Sequence, residues 1–249
     1  MPRKLGQHFL VRQEILERIA DAACGGGTPR VIEIGPGRGA LTRHLLSHTE
    51  ELHAIELDEA LASYLDAEFH ADARFHLHRG DVLETNLTQW GPATITGNLP
   101  YYITSPIVDR FIALDERFPR AVFLVQEEVA DRLRALPGTR DYGFLSVRTQ
   151  LFCDVELILK APPSAFRPPP KVDSAVVRLI RRTNVPENAK SIVQFASRCF
   201  AQKRKTLRNN LRGFYDPRII DSLPEAGLRA EQIPVQRLIE LQAKLDGGR

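Results

Sequence analysis

The chain has 249 residues, enough for one large domain or for a full domain and a small one. A hydrophobic fraction of 43% and a charged fraction of 26% are typical of globular proteins and exclude intrinsic disorder, a collagen-like chain and a disulfide scaffold. The net charge is only +3, from 34 basic and 31 acidic residues. No apolar run approaches the roughly 20 residues that a membrane helix needs, and the first residues lack the apolar core of a secretion signal. Three widely spaced cysteines indicate a reducing compartment, so we expect a cytoplasmic protein without membrane contact.

Short apolar runs alternate with helix-like stretches over the first two-thirds of the chain. Strands are predicted at residues 30–34, 52–56, 74–78, 93–97, 121–125, 151–159 and 174–180. Helices are predicted at residues 40–48, from an N-cap at Asp58 to about 69, from 105 with Pro106 at its first position, and from 127 to about 136. After Pro186 the pattern is helical. This order predicts a doubly wound α/β domain over residues 1–181 and a small helical domain over residues 182–249.

A glycine-rich turn follows the first predicted strand. Gly35, Gly37 and Gly39 separate that strand from a helix, and they allow a ligand to lie against bare backbone. The spacing differs from the dinucleotide-binding pattern Gly-x-Gly-x-x-Gly and from a phosphate-binding loop. Glu56 ends the next strand, where it can accept hydrogen bonds from ribose hydroxyls, and Asp81 follows the third strand, where it can accept from the adenine amine. An adenosine pocket without a pyrophosphate site indicates S-adenosyl-L-methionine as the cofactor.

The fourth predicted strand ends in a short polar and aromatic turn. Its residues are Asn98, Leu99, Pro100 and Tyr101. The exocyclic amine of adenine is a poor nucleophile because its lone pair is delocalised into the ring. The Asn98 side-chain oxygen and a backbone carbonyl freed by the prolyl turn can accept the two amine hydrogens, which orients the nitrogen and favours its tetrahedral form. Tyr101 can stack on a base that has left its helix. This turn predicts N-methylation of a nucleobase.

The predicted helical tail carries the excess positive charge. Residues 182–249 contain 13 Lys and Arg against 7 Asp and Glu, a net +6, whereas the rest of the chain contains 21 against 24, a net −3. Residues 198–212 hold six basic side chains and no acidic one. A polyanion would relieve the repulsion within this run by releasing its counterions, so we expect RNA or DNA to bind there. The candidate RNA-binding residues are Lys203, Arg204, Lys205, Arg208 and Arg212.

Together these motifs resemble the ribosomal RNA adenine N6,N6-dimethyltransferases, the family behind kasugamycin sensitivity. The resemblance spans most of the chain: GQHFL at 6–10, the glycine turn at 33–39, Glu56, Gly80-Asp81, the turn at 98–101, the proline-rich stretch at 166–174 and the basic stretch at 202–211. In this family the N-terminal segment covers the cofactor, so the resemblance makes His8 and Leu10 candidate cofactor-binding residues. Asn98 is a further candidate for cofactor binding. The aromatic residue of its proline-rich motif, here Phe166, is implied to cover the target base.

The resemblance implies a Rossmann-like class I methyltransferase domain followed by a helical RNA-binding domain. It implies dimethylation of two adjacent adenosines in the 3′-terminal hairpin of 16S rRNA, on a late precursor of the small ribosomal subunit, with four cofactors consumed. No metal is expected, because His44 and His48 lie four apart on a predicted helix without a third ligand nearby. A monomer is the default expectation.

Other functions remain open from the sequence. Methyltransferases acting on DNA adenine or on glutamine use related turns, but the residue after Asn98 is Leu99 rather than proline, and a basic tail follows. A macrolide-resistance methyltransferase of large-subunit rRNA has similar motifs, although the stretches at 166–174 and 202–211 favour the small subunit. A non-catalytic assembly or nucleic-acid-binding factor is the alternative from another class. The intact turn at 98–101 argues against it.

Overall fold

The structure is a computed structural model that describes residues 8–25 and 29–246. Within these residues the strands are β1 (Phe9–Leu10), β2 (Arg30–Ile34), β3 (Glu51–Glu56), β4 (Phe75–Arg79), β5 (Thr94–Asn98), β6 (Arg120–Gln126), β7 (Cys153–Ala161), β8 (Phe166–Arg167) and β9 (Ser174–Arg181). The α-helices are α1 (Gln13–Cys24), α2 (Ala40–Leu46), α3 (Glu59–Phe69), α4 (Thr104–Ala113), α5 (Glu127–Arg134), α6 (Phe144–Phe152), α7 (Ala189–Cys199), α8 (Leu207–Leu211), α9 (Pro217–Asp221) and α10 (Val235–Asp246). Of the GQHFL segment, Gly6 and Gln7 lie outside the described residues.

The main sheet has seven strands in the order β4-β3-β2-β5-β6-β9-β7. Strands β2 to β6 pair in parallel, and β9 runs antiparallel to β6. From β2 the chain continues to one side through β3 and β4 and then to the other side through β5 and β6. The crevice at the carboxyl ends of β2 and β5 is therefore a topological switch point, where open α/β sheets bind their ligands. The predicted doubly wound α/β fold is confirmed.

Most predicted elements coincide with the observed ones within one residue, and the two main differences concern helix α6 and the start of helix α4. Asp58 caps α3 as predicted, since its side chain accepts the backbone N–H groups of Ala60 and Leu61. Helix α6 was not predicted, and the strand expected at 151–159 starts only at Cys153. Buried side chains of α6 include polar Ser146 and Thr149, so its sequence lacks a one-sided apolar stripe. Helix α4 begins at Thr104, which makes Pro106 its third residue rather than its first.

The first compact unit contains the residues up to Ala130 together with Val155–Arg181. Strand β6 is buried over its central residues 121–125, as expected for a parallel strand covered on both faces. Helix α1 buries Leu16 and Ile19 in the same apolar cluster as Val122 and Leu124 of β6. Burial of each such side chain contributes about 1.5–3 kcal/mol. This packing makes the sheet a rigid platform for the loops at its carboxyl edge.

A small antiparallel ribbon fastens the N-terminal strand to the same unit. Strand β1 pairs with β8, with Phe9 opposite Arg167 and Leu10 opposite Phe166. The N–H of Val11 continues the pairing by donating to the carbonyl of Ala165 at 2.8 Å. The N-terminal residues are thereby held by a segment more than 150 positions away in the sequence.

The second compact unit contains Asp131–Asp154 together with the residues from Arg182 onward. This corrects the predicted boundary after residue 181, which had placed residues 131–154 in the first domain. The reason is packing: Tyr142 is 1% exposed in a core that it shares with helices α7 to α10, and its hydroxyl donates to the carbonyl of Ile233 at 3.0 Å. No helix in the described part of the chain is both long and apolar enough to cross a membrane.

Candidate cofactor and catalytic site

A cavity of about 480 Å³ opens at the carboxyl ends of β2 to β5. This volume lies within the roughly 300–1,000 Å³ of small-molecule sites. The fold brings ten of the predicted site residues to its wall: His8, Leu10, Gly35, Gly37, Glu56, Asp81, Asn98, Leu99, Pro100 and Tyr101. They come from four strand ends and the N-terminal strand, so the topology alone gathers the predicted cofactor and catalytic groups in one place.

The glycine turn forms a cradle of bare backbone. Gly35, Gly37 and Gly39 have positive φ angles of +65°, +60° and +74°, which L side chains rarely adopt. A Cβ added to Gly35 would meet no atom within 4 Å, so open space lies beside the backbone at that point of the cavity wall. A Cβ on Gly37 would lie 3.0 Å from the ring of Phe9. The turn therefore fits a cofactor that lies against the main chain.

Glu56 is held in place by the backbone around it. Its Oε2 accepts the N–H of Gly37 at 3.0 Å, and its Oε1 accepts the N–H of Asp58 at 2.9 Å. Burial raises the pKa of Glu56 above its usual value, against the lowering effect of these hydrogen bonds. Each carboxylate oxygen can accept more than one hydrogen bond. A backbone contact from Leu57 uses further acceptor capacity, and what remains can accept a ribose hydroxyl on a carboxylate that is already oriented.

The adenine end of the predicted pocket contains two apolar residues that the sequence prediction omitted. Asp81 Oδ1 accepts the N–H of Leu83 at 2.8 Å, whereas no described residue donates to its Oδ2. Leu57 is 53% exposed although it lines the cavity, and Val82 lines it as well. Each directly follows a strand-end acid in the sequence, Glu56 or Asp81, and that position could have identified it. Apolar side chains beside these two carboxylates suit the faces of a purine ring.

Asn98 is oriented by His8, the residue that precedes strand β1. Its Nδ2 donates to the backbone carbonyl of His8 at 2.9 Å. Only the NH₂ half of the amide can donate, so this contact fixes the orientation of the amide, and no described residue donates to Oδ1. The His8 ring in turn uses Nδ1 to donate to the carbonyl of Pro168 at 2.8 Å. A contact between residues 90 positions apart thus orients Asn98 Oδ1, the atom that the sequence motif predicts to be an acceptor.

The backbone of the prolyl turn supplies a second acceptor. The N–H of Leu99 donates to the carbonyl of Leu124 at 3.0 Å, and the carbonyl of Pro100 accepts the N–H of Ile103 at 3.1 Å. No described residue donates to the carbonyl of Leu99. This carbonyl is therefore a candidate for the free backbone acceptor expected at the prolyl turn.

Tyr101 is anchored at its hydroxyl. The Tyr101 oxygen and Ser174 Oγ are 2.9 Å apart, and Ser174 is fully buried at the start of β9. The rings of Tyr101 and His8 lie with their centroids 6.0 Å apart at an interplanar angle of 25°. Ser174 belongs to the proline-rich stretch noted in the sequence, but the sequence does not predict its hydrogen bond to the turn at 98–101.

The structure corrects the role given to Phe166. Its side chain is fully buried in the core and does not line the cavity, because it occupies the inward position of β8 while Arg167 is exposed at the cavity. A buried ring in this position cannot cover a base. The proline-rich stretch instead provides the Pro168 carbonyl and the Ser174 hydroxyl, and the preceding Ala165 carbonyl holds the N-terminal strand.

Glu33 is a buried carboxyl group in the wall of the cavity. It is 1% exposed on β2, and its Oε2 accepts the hydroxyl of Thr42 at 2.7 Å. Burial raises the pKa of Glu33 to about 8, the Thr42 hydrogen bond opposes this effect, and the charge of Glu56 adds to it. The side chain is therefore mostly protonated at neutral pH.

We expect the Glu33→Gln variant to have a flatter dependence of stability on pH than the unsubstituted protein. Between pH 4.5, the ordinary pKa, and about 8, the folded protein binds more protons at Glu33 than the unfolded chain, so the free energy of unfolding falls as pH rises. Glutamine has nearly the same shape but does not titrate, so the substitution removes a fall in the free energy of unfolding on the order of a few kcal/mol. Urea unfolding without cofactor, at several pH values from 5 to 9, measures this free energy. Glu17→Gln, at an exposed position of α1, is the matched control, and parallel curves for Glu33→Gln and the unsubstituted protein would contradict the expectation.

The predicted RNA-binding residues all belong to the second unit and are exposed. Lys203, Arg204 and Lys205 lie in the turn between α7 and α8, which we call the basic turn. Arg208 forms an ion pair with Asp221 at 2.6 Å, so its charge is partly neutralised within the chain. This pairing weakens the prediction for Arg208 relative to that for the basic turn.

A buried asparagine holds the basic turn in shape. Asn210 is 6% exposed, and its Nδ2 donates to the carbonyls of Cys199 and Gln202 at 2.7 and 3.2 Å. Its Oδ1 accepts the N–H of Gln202 at 3.1 Å. These contacts order the main chain on the N-terminal side of the turn, where exposed cations would otherwise favour an open loop.

Three histidines lie together away from the cavity: His53 on β3, and His76 and His78 on β4. His53 Nδ1 and His78 Nε2 are 2.9 Å apart, and Trp90 stacks on His53 with ring centroids 4.9 Å apart. In the described ranges no group of three or more His, Cys, Asp or Glu side chains is arranged to hold a metal ion.

A model of the family described as "Ribosomal RNA adenine dimethylase" matches residues 1–233. A protein of Acidobacterium capsulatum named ribosomal RNA small subunit methyltransferase A is 42% identical over 256 residues, which cover 98% of this chain and 90% of that protein. A protein of the same name from Chromobacterium violaceum is 40% identical over 248 residues, which cover 97% of this chain and 94% of that protein.

Solved structures share the fold. A dimethyladenosine transferase from Plasmodium falciparum superposes with a TM-score of 0.86 and 26% identity over 96% of this chain and 98% of its own. The 23S rRNA methyltransferase ErmE superposes with a TM-score of 0.76 and 27% identity over 96% of this chain and 99% of its own. A putative class I S-adenosylmethionine-dependent methyltransferase from Listeria monocytogenes shares the fold alone. Its TM-score is 0.50, with 14% identity over 70% of this chain and 60% of its own. The expected Rossmann-like class I methyltransferase fold is confirmed.

Proposed function

This chain belongs to the ribosomal RNA adenine dimethylase family, and on that basis we propose that it dimethylates the N6 amines of two adjacent adenosines in the 3′-terminal hairpin of 16S rRNA. One observation carries the proposal for the chemistry. At the end of β5, Asn98 Oδ1 and the carbonyl of Leu99 are two acceptors without a donor among the described residues, and both residues line the cavity beside the predicted cofactor groups.

The cofactor is S-adenosyl-L-methionine, which supplies an electrophilic methyl group when it is bound. The bare backbone at Gly35 and Gly37 would lie against its methionine part. Glu56 would accept hydrogen bonds from its ribose, and Asp81 Oδ2 from its adenine amine. His8 and Leu10 of the N-terminal strand would close the cavity over it.

The chain's own contribution to methyl transfer is positioning. The two acceptors bind the hydrogens of the target amine and direct the nitrogen lone pair at the methyl group. Tyr101 stacks on the target base, and its hydrogen bond to Ser174 keeps the ring from rotating away. Transfer of the methyl group breaks the carbon–sulfur bond, releases a neutral thioether and leaves a positive charge on the nitrogen of the amine. The methylated cation is a strong acid and loses its proton to water, so no strong general base is needed. The target adenosine must already be unstacked to reach the cavity.

The partner is ribosomal RNA, and we infer that the form recognised is a late precursor of the small subunit. The basic turn of the second unit would contact phosphates, together with Arg212, which follows helix α8. In this division of labour, residues of the first unit perform the chemistry and those of the second unit hold the RNA. A monomer acting in the cytoplasm fits this proposal.

Reversing charge in the basic turn should weaken RNA binding and flatten its salt dependence. Replacing Lys203, Arg204 and Lys205 with glutamate is expected to reduce the slope of log Kd against log salt by roughly 1 for each phosphate that the protein no longer neutralises. Cofactor affinity should stay unchanged. Titrations of unmethylated small subunits at several salt concentrations measure the slope.

Arg204→Glu and Lys190→Glu form the matched pair for this test. Both residues are exposed in the second unit, but Lys190 lies on α7 outside the basic turn. Equal slopes for the two single variants would mean that the basic turn is only solvated surface.

The proposed function is tested by mass spectrometry of rRNA after unmethylated small subunits have been incubated with the protein and S-adenosyl-L-methionine. Four added methyl groups on two neighbouring adenosines near the 3′ end are expected. Methylation at other positions, or none while the cofactor still binds, would overturn the proposal.

Methylation of an adenine in large-subunit rRNA is the second candidate. The likeness to ErmE at a TM-score of 0.76 favours it. It ranks lower because the Plasmodium dimethyladenosine transferase superposes better, at 0.86, and because the relative at 42% identity is named for the small subunit. Offering large subunits in the same mass-spectrometric experiment separates the two candidates.

A further inference from the structure

Tyr102 is an exposed aromatic residue at the opening of the cavity. It lines the cavity and is nevertheless 62% exposed. It follows Tyr101 in the short 3-10 helix Tyr101–Ile103. Successive side chains of such a helix diverge by about 120°. The two neighbouring rings therefore cannot stack on the same base. A base that stacks on Tyr102 must be a different one from the base that stacks on Tyr101.

The surroundings of Tyr102 suit a nucleic acid strand. Leu57 and Val11 are the other large apolar side chains that are exposed along this cavity, and Leu57 is accounted for by the adenine of the cofactor. Arg38 and Arg167 also line the cavity and are exposed. An exposed aromatic ring together with cations is the combination that binds unpaired nucleotides, since bases stack on the ring and phosphates attract the cations.

The proposed reaction itself creates a binding partner for this ring. When the target base leaves its stack to enter the cavity, the base next to it loses a stacking neighbour. The Cα atoms of Tyr101 and Tyr102 are about 3.8 Å apart, as in any trans peptide. A strand that places one base on Tyr101 therefore carries its neighbouring nucleotide to the region of Tyr102.

We propose that Tyr102 stacks on the unpaired base directly next to the target adenosine and replaces the stacking that this base loses. The inference rests on the proposed function. A strand crosses the site with one polarity, so the base on Tyr102 is the other adenosine when one of the pair is the target and the flanking nucleotide when the second is the target. Stacking uses the ring face, which every base offers, and leaves the N6 edge free, so Tyr102 supports both rounds of the reaction.

Substitution of Tyr102 tests the proposal through the separation of KM from kcat. For Tyr102→Ala we expect KM for unmethylated small subunits to rise roughly 5- to 100-fold, with kcat and cofactor affinity near their original values. Tyr102→Phe should behave as the unsubstituted protein, because the ring face is kept. Tyr64→Ala is the matched control: Tyr64 is 44% exposed on α3 and does not line the cavity.

A second arm removes the base instead of the ring. Small subunits are reconstituted with two 16S rRNAs, each ligated from two pieces, in which the abasic nucleotide lies on the 5′ side or on the 3′ side of a target adenosine. The effect of Tyr102→Ala should largely vanish on one of these two substrates, the one in which the ring has no base on which to stack.

The outcomes separate this inference from the function on which it rests. An unsubstituted protein that does not methylate small subunits rejects the proposed function, and the inference falls with it. An active unsubstituted protein with an unchanged KM in Tyr102→Ala rejects only the inference. A fall in kcat without a rise in KM, or an equal effect on intact RNA and on both abasic RNAs, also rejects it, because the ring would then act on the protein rather than on the neighbouring base.

Discussion

Replacing Asn98 with alanine is expected to slow methyl transfer by about 10²–10³-fold, the usual effect of removing one preorganised polar group from a reaction site. The substitution deletes the Oδ1 acceptor and the hydrogen bond from Nδ2 to the His8 carbonyl. The amine would then keep only the Leu99 carbonyl as an acceptor. RNA affinity should stay near its original value, because the basic turn is unaltered. Tyr101→Ala should likewise abolish most activity, through the loss of base stacking.

Single-turnover methylation of unmethylated small subunits, at saturating S-adenosyl-L-methionine, measures this effect on the chemical step. Calorimetric titration with the cofactor then decides whether Asn98 acts in catalysis or in cofactor binding. Asn184→Ala is the control, because Asn184 is exposed and belongs to the second unit. If both Asn98→Ala and Tyr101→Ala retained methylation, the turn at 98–101 would not be the catalytic element and a non-catalytic function would gain support.

Replacing Gly97 with alanine is expected to destabilise the first unit by about 1–3 kcal/mol or more and to abolish activity. Gly97 pairs with Ile34 between the parallel strands β5 and β2. An added Cβ would lie 2.4 Å from the backbone carbonyl oxygen of Ile34 and 3.2 Å from its Cβ. Backbone of a central strand cannot yield as a flexible side chain can. The strands would have to separate where Gly35 begins the glycine turn and Asn98 begins the proposed catalytic turn.

Urea unfolding and cofactor titration of the Gly97→Ala variant measure the two consequences. Gly227→Ala is the matched control, since a Cβ there meets no atom within 4 Å. Unchanged stability and unchanged cofactor affinity in Gly97→Ala would show that β2 and β5 tolerate a wider spacing than the structure indicates.

Local patterns were sufficient to predict the sheet and to identify candidate cofactor residues that the fold brings to one cavity. Parallel strands give continuous apolar runs, and the groups that bind an adenosine cofactor follow directly after such runs. The sequence alone is therefore enough to place Gly35, Glu56, Asp81 and Asn98 at one edge of the sheet. Each of them lies within three residues of the end of a predicted strand.

Contacts between distant segments could not be predicted in this way. Nothing in the N-terminal sequence indicates that the His8 carbonyl orients Asn98, and nothing near Ser174 indicates that its hydroxyl meets Tyr101. Phe166 was misassigned because a motif identifies a residue type but not the face of the strand on which it lies. Helix α6 was missed for a related reason, since burial on several sides removes the periodicity that reveals a surface helix.

The hydrogen bond between Tyr101 and Ser174 also bears on when the enzyme becomes competent during its own synthesis. The cofactor groups and the catalytic turn lie in the first 101 residues, whereas Ser174 begins a strand that inserts antiparallel beside β6 only after residues 127–173 have been made. Chains fold progressively from the N-terminus as they leave the ribosome. A nascent chain that has not yet placed β9 lacks the Ser174 anchor of Tyr101 as well as the Pro168 carbonyl that holds His8. Methylation competence is thereby deferred until the whole of the first unit has been translated.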